Sequence, residues 1–291
     1  MKTYSFIIPH HNTPVLLKNL LGTIPQRDDV EVIVVDDNSD ADKKPKLTRE
    51  DVRIINIPAK DSKGAGHARN LGLEAATGKW LLFADSDDFY EQHFLEELDK
   101  YVEADYDIVF FSAHIQYDLK KKEVNKNRNY IEKAFDKYNS SDHTLKDVRR
   151  LTLTVNAPWN KMFRHDFVEK IQAKFEEIPM ANDAWFVKYT GSKAEKIEVI
   201  DKRLYYYVQY ESGITKSKRP LEHYYQTINS SIRRNKILYD EGFLDLIKYP
   251  GFNHHNILRD FGRITYLKLL FYKIRKDPTF VRSIIFKVFG R

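Results

Sequence analysis

Apolar positions in the first hundred or so residues fall into short blocks of two kinds. Residues 4–8 form a short apolar run, residues 30–35 an almost purely β-branched one, and residues 52–57, 79–84 and 107–112 read as further strands. Such runs suit strands buried on both faces of a parallel sheet. Residues 14–21, opening on Pro14, residues 65–76, followed by Gly78, and residues 94–101 carry helical spacing instead. The resulting β-α-β-β-α-β-α-β order predicts an α/β fold: a doubly wound, mostly parallel sheet with helices on both faces.

The rhythm breaks over residues 117–150. Lys120, Lys121 and Lys122, the Asn-rich stretch 125–129 and Ser140-Ser141-Asp142 read as an irregular, flexible insertion. Order returns at residues 151–163, with a helix near 182–189 and a strand at 203–210. From Pro220 onward the pattern is helical. We therefore expect an α/β domain over residues 1–215 and a basic helical region over 216–291.

Composition narrows the class. The chain has 291 residues, 42% hydrophobic and 31% charged, which suits a globular protein with a substantial core. It has no cysteine, which excludes a disulfide scaffold and a cysteine-ligated zinc site. The apolar start is too short for a signal peptide, and no run approaches a membrane span, so a cytoplasmic location is expected. The formal net charge is +6. From residue 251 onward nine Lys and Arg face only Asp260 and Asp277. With Leu258, Phe261, Leu267, Leu270, Phe271 and Ile274 interleaved, this region reads as a basic amphipathic element. It either lies on an anionic membrane surface or packs on the core as a lid with a solvated basic face.

Two acidic clusters end predicted strands: Asp36-Asp37, and Asp85-Ser86-Asp87-Asp88. Ligands of open α/β sheets bind outside the carboxyl ends of the strands. Five carboxylates on that edge repel one another unless a cation sits among them. A hard divalent ion bound by one or two carboxylates plus phosphate oxygens resolves the conflict and stabilises a leaving diphosphate. Isolated turn and N-cap aspartates are common, and it is the pairing of two clusters at strand ends that points to a site.

Four blocks, Phe6-Ile7-Ile8-Pro9-His10-His11-Asn12, Val34-Val35-Asp36-Asp37-Asn38-Ser39, Gly64-Ala65-Gly66-His67-Ala68-Arg69-Asn70 and the segment from Gly78 to Asp88, match in order and spacing. Together they resemble family 2 glycosyltransferases of the GT-A fold. Pro158-Trp159-Asn160-Lys161-Met162-Phe163, Asn182-Asp183-Ala184-Trp185-Phe186 and the segment from Tyr205 to Thr215 extend the resemblance to bacterial capsule and lipopolysaccharide members. It covers about residues 3–215.

The resemblance implies roles. Asp37 would accept a hydrogen bond from the donor base, usually uracil, with Pro9, His11 and Asn12 as the other wall. The family often carries Tyr where this chain has His11. Asp85 would lie near the ribose and the metal, Ser86 would belong to the donor site, and Asp87 would directly ligate Mn2+ or Mg2+. Arg69 would meet diphosphate or acceptor, or else pair with Asp85 or Asp87. Asp183 would be the base of an inverting transfer, taking the proton of the acceptor hydroxyl. The family commonly has two acids here, whereas Asn182 precedes Asp183. Its other reading is a helix N-cap. Trp159 and Trp185 are candidates to stack on an acceptor sugar or to pack in the core, and Trp80 reads as core. Lys161 reads as a phosphate contact or a solvated strand residue. The donor would be a UDP-sugar and the acceptor a glycan or lipid-linked precursor in polysaccharide synthesis, with the enzyme cytoplasmic or peripheral at the inner membrane face.

Two other classes fit the sequence less well. A sugar-phosphate nucleotidyltransferase needs a Gly- and Arg-rich phosphate loop after the first strand, where this chain has Pro9-His10-His11-Asn12-Thr13-Pro14. A nucleic-acid-binding protein would use the basic tail, but the acidic edge opposes it near the sheet. The Gly64–Arg69 turn lacks the third glycine of a dinucleotide fingerprint, and no Gly-Lys-Ser/Thr phosphate loop occurs.

Overall fold

The computed structural model describes residues 2–47, 49–117, 130–210, 219–248 and 254–289. Its eight strands are β1 (Tyr4–His10), β2 (Val30–Asp37), β3 (Val52–Ile57), β4 (Trp80–Phe83), β5 (Phe89–Tyr90), β6 (Ile108–Tyr117), β7 (Lys161–Arg164) and β8 (Ile197–Gln209). They form one sheet in the order β3-β2-β1-β4-β7-β6-β8-β5. The first four in that order run parallel, as expected. β7 is antiparallel to both neighbours, β4 and β6, and β6 then pairs parallel with β8. The sheet is therefore mixed, with a reversed strand at its centre.

Alternation along the strands divides the core. Phe6, Ile8, Val32 and Val34 pack with Leu17, Leu20 and Leu21 of α1 (Pro14–Thr23). Ile33 and Val35 face the other way, onto Ala68 of α2 (Ala65–Ala75). Ile7, Leu81 and Phe83 share that second face with Phe186 and Val187 of α7 (Ala184–Lys193). Each fully buried aliphatic or aromatic side chain contributes about 1.5–3 kcal/mol, and the polar residues near the start of these strands, Ser5 and Glu31, pair with each other. β4 ends opposite Ile7, so Pro9 has only β2 beside it and its missing N–H is tolerated.

Residues 130–154 correct the expectation of an irregular insertion. They hold two helices, α4 (Tyr130–Asn139) and α5 (Leu145–Thr154). Ile131 and Phe135 of α4 are buried, and α5 opens on a capping box between Thr144 and Asp147. The lysine- and asparagine-rich stretch 118–129 lies outside the described residues. α3 (Phe94–Leu98) and α6 (His165–Lys170) complete the sheet layer. The helical tail comprises α8 (Leu221–Asp240), α9 (His254–Lys276) and α10 (Pro278–Phe289). Among the described residues no helix is long and apolar enough to cross a membrane.

Candidate active site at the carboxyl edge of the sheet

Because β2, β1 and β4 are parallel neighbours, their carboxyl ends bring Asp36-Asp37, His10–Asn12 and Asp85–Asp88 to one edge. Side chains tie the three loops together. His10 Nδ1 lies 2.8 Å from Asp36 Oδ1, and its Nε2 accepts from the Thr13 N–H at 3.2 Å. His11 donates from Nδ1 to the Asp37 carbonyl at 2.8 Å. The Asn12 N–H donates to Ser39 Oγ, with Asn12 itself at a φ of 58°. Thr13 and Ser86 hydroxyls meet at 2.9 Å, joining the first loop to the third.

Asp37 is the least satisfied group of this edge. It is 7% exposed, and its Oδ2 accepts from the Gly64 N–H at 2.9 Å. Its Oδ1 is buried with no hydrogen-bond partner. A buried carboxylate oxygen without a donor is costly, by about 1–3 kcal/mol or more, so a ligand N–H there would be strongly favoured.

The aspartates of the third loop differ from one another. Asp88 is a structural residue: it is buried, accepting from the Tyr205 hydroxyl at 2.9 Å and the Val208 N–H at 2.7 Å. Tyr205 in turn accepts from the Asp85 N–H. Burial, then the nearby Asp85 charge, pushes the Asp87 carboxyl up to about 6. Asp87 also feels the Arg69 charge, which opposes the rise of its pKa but does not cancel it. Asp85 is held by Arg69, whose Nη2 donates to Oδ1 at 2.5 Å. The other end of Arg69 donates to Asn182 Oδ1 at 2.8 Å. Arg69 thus takes the ion-pair alternative and also spans from the Asp85 loop to the segment before α7.

That span fixes Asp183. Asp183 stands at the N-cap of α7, but its side chain makes no cap hydrogen bond and is left for other use. Burial raises its pKa, Arg69 opposes the rise, and Asp85 adds to it, so the three groups share one electrostatic neighbourhood. The segment leading to it is clamped from below. Asn70 exchanges two hydrogen bonds with the Phe175 backbone, and the Glu176 N–H donates to the Asn182 carbonyl. A Cβ on Gly66 would sit 2.0 Å from the Glu176 carbonyl oxygen, so only glycine permits this approach. Glu176 is also held from above, by Ser230, Arg233 and Arg234 of α8. Glu176 and the α8 arginines were not visible in the sequence, and Gly66 and Asn182 stood there only as members of motif blocks with no role of their own. The Gly-Ala-Gly turn was the one visible signal, and it marks close packing of backbone rather than a phosphate loop.

The acceptor-side candidates separate. Trp159 is 4% exposed and stacks on Tyr205 and Tyr207 at centroid distances of 4.8 and 5.3 Å. It buttresses the wall behind Asp85–Asp88. Lys161 corrects both readings offered for it, being neither solvated nor open to a phosphate. It is fully buried, and its Nζ donates to the carbonyls of Val155 and Ala157 and to Asn160 Oδ1. Burial depresses its pKa well below the ordinary lysine range, against the pull of Asp183. Trp185 is half-buried, stacked on Tyr189 with the Arg233 guanidinium 5.7 Å from its ring. It alone of the three keeps partial exposure. Trp80 is fully buried, as read. The segment 211–218, with its Ser-Gly-Ile-Thr motif, lies outside the described residues.

An open α/β sheet with aspartates gathered at the carboxyl ends of its parallel strands has the edge where folds of this class bind their ligands. The family model for Glycosyl transferase family 2 matches residues 5–172, and the chain belongs to that family. It is 24% identical to the putative glycosyltransferase EpsH of Bacillus subtilis (strain 168) over 72% of this chain and 62% of that one. It is 30% identical to the GalNAc(5)-diNAcBac-PP-undecaprenol beta-1,3-glucosyltransferase of Campylobacter jejuni over 63% of this chain and 58% of the relative. The chain thus spans about three fifths of these relatives. Its fold resembles that of Staphylococcus aureus TarS residues 1–349, solved with UDP-GlcNAc, at a TM-score of 0.66, 18% identity and coverage of 100% and 93%. The GT-A fold expected from the sequence is therefore the fold observed.

Proposed function

We propose that this chain transfers a sugar from a UDP-sugar to a hydroxyl of a glycan or lipid-linked glycan in surface-polysaccharide synthesis, with inversion at the anomeric carbon, and that it works on the cytoplasmic side. The observation that carries the reading is Asp37. Its unpartnered, buried Oδ1 is an acceptor of the kind the N3–H of uracil satisfies. Pro9, His11 and Asn12 line the facing loop, and His11 supplies a ring in place of the phenol common in the family. Asp85 and Ser86 stand near the ribose. The names of the Campylobacter and Staphylococcus relatives, one specifying a PP-undecaprenol-linked acceptor and the other a complex with UDP-GlcNAc, support both halves.

In the transfer, Asp183 accepts the proton of the acceptor hydroxyl. The new bond forms from that oxygen to the anomeric carbon as the bond to the diphosphate breaks. Arg69, and Arg234 more remotely, favour the ionised form of Asp183 and so keep it able to take the proton. Trp185 offers a partly exposed ring to the acceptor, while Trp159 and Lys161 act behind the surface.

A divalent cation, Mn2+ or Mg2+, fits the donor set. Asp87 is a desolvated carboxylate raised by Asp85, and a cation there would relieve both burdens. Among the described residues no group of three or more His, Asp, Glu or Cys converges on one point, so Asp87 with Asp85 would hold the ion together with phosphate oxygens. Such an ion supplies charge neutralisation for the departing diphosphate.

The test is calorimetric titration of UDP into the wild-type chain and Asp37→Ala. Loss of a hydrogen bond to a charged acceptor should weaken binding about 10- to 100-fold. Equal UDP affinity in the two proteins would refute the assignment.

A further inference from the structure

Exposed large apolar side chains are concentrated at the end of the chain. Of ten among the described residues, seven lie in α9 and α10, so this surface is not ordinary scatter. α9 is broken at Gly262, where φ is 78°, and restarts beyond it. One side of the restarted helix faces the protein: Leu269 packs with Tyr224, Ile228 and Ile257, and buried Lys273 donates to Ser231 Oγ at 3.0 Å. The opposite side presents Ile264, Leu267, Phe271 and Ile274, which are 41–73% exposed. At about 100° per residue, these four fall within one arc of roughly 80°.

Cations border the arc. Lys268 and Arg275 lie along one margin and Arg263 along the other, all three exposed. The only acidic residues of α9 and α10 and the joint between them are Asp260 and Asp277. Asp260 pairs with Arg259, and Asp277 is buried against Asn235 and Thr279. The rim charge is thus left facing outward. A second copy meeting this face through a two-fold axis would set cations against cations. An anionic bilayer accepts both parts, the apolar arc below its headgroups and the basic margins among its phosphates.

We propose that the outward face of α9, continued by Val281 and Ile285 of α10, docks on an anionic lipid surface. The proposal stands apart from the transfer reaction, because its test needs neither donor nor acceptor. The full chain is sedimented with phosphatidylcholine vesicles and with vesicles containing phosphatidylglycerol. Binding is expected to the second and not the first, and to weaken with salt. The pair Leu267→Ser and Phe271→Ser should lower partitioning about tenfold or more, since lipid affinity scales with buried apolar area. The pair Lys268→Glu and Arg275→Glu should remove the preference for phosphatidylglycerol. Unchanged thermal midpoints would show that these surface variants remain folded. Absence of binding to phosphatidylglycerol vesicles would overturn the proposal. Equal binding to both vesicle types would overturn it too, as would self-association abolished by the serine pair without vesicle binding.

Discussion

The two walls of the cleft are built on different principles. The edge formed by β1, β2 and β4 takes its polar groups from loops next to one another in a parallel sheet, and short-range hydrogen bonds such as Thr13–Ser86 hold them. The opposite wall, formed by α7 and backed by α8, is assembled from residues far apart in sequence and is crowded with charge. Lys161, Lys188 and Arg234 are all desolvated near Asp183 or one another, and burial depresses the pKa of each. One wall leaves a single oxygen, Asp37 Oδ1, unsatisfied for a ligand. The other carries a standing electrostatic load to hold one carboxylate in place.

The sharpest way to separate the walls is Asp183→Asn. Loss of a general base should lower turnover by about 10²–10⁴-fold. UDP affinity, which we assign to the first wall, should not change in the same protein, and calorimetry beside a transfer assay reads both. If turnover survives, α7 carries no base.

Trp159→Ala tests the assignment of a packing residue. Emptying that site should cost about 3–5 kcal/mol of stability. The thermal midpoint should fall before any acceptor KM effect is seen at permissive temperature. A selective rise in acceptor KM at unchanged stability would return Trp159 to the acceptor surface.

The charge load of the second wall predicts a pH dependence. Burial, then Arg234 and Lys248, lowers Lys188 from 10.5 to about 7, and burial takes Lys273 to about 8. Between about pH 7 and pH 9 the unfolded chain keeps a proton that folded Lys188 has released. Stability should therefore rise with pH across that window, by up to about 1.4 kcal/mol per unit for this group. Lys188→Met should flatten the slope in urea titrations at several pH values, whereas Asp37→Ala should not.

The smallest effect is expected at His11. Removing its ring with His11→Ala should weaken UDP by about fivefold, the worth of one modest contact. An effect as large as that of Asp37→Ala would mean the ring does more than form a wall.

The comparison also explains what could be read from residues alone. β1, β2, β4 and β6 were legible because a strand buried on both faces needs a mostly apolar run, and β3, an edge strand with Arg53 and Asn56 exposed, because its other positions are β-branched. Asp37, Asp85 and Asp87 were legible because parallel strands end on one edge. The reversal of β7 was not, since four residues, Lys161–Arg164, carry no signal for direction. α4 and α5 were hidden by polar, lysine-rich sequence whose few apolar positions make one buried stripe. Lys161 looked solvated because lysine usually is. Its burial depends on carbonyls at Val155 and Ala157 that no local pattern announces. Glu176 depends on Ser230 and Arg233, more than fifty residues downstream.

The contact between Leu153 of α5 and Leu238, Phe243 and Ile247 has a practical consequence for anyone trimming the gene. A fragment stopped at residue 215 would keep every aspartate of the candidate site, yet expose that leucine and strip Glu176 of its hydroxyl and guanidinium caps. Such a fragment is expected to express poorly or aggregate, and the shortest useful version of this enzyme should run past Ile247.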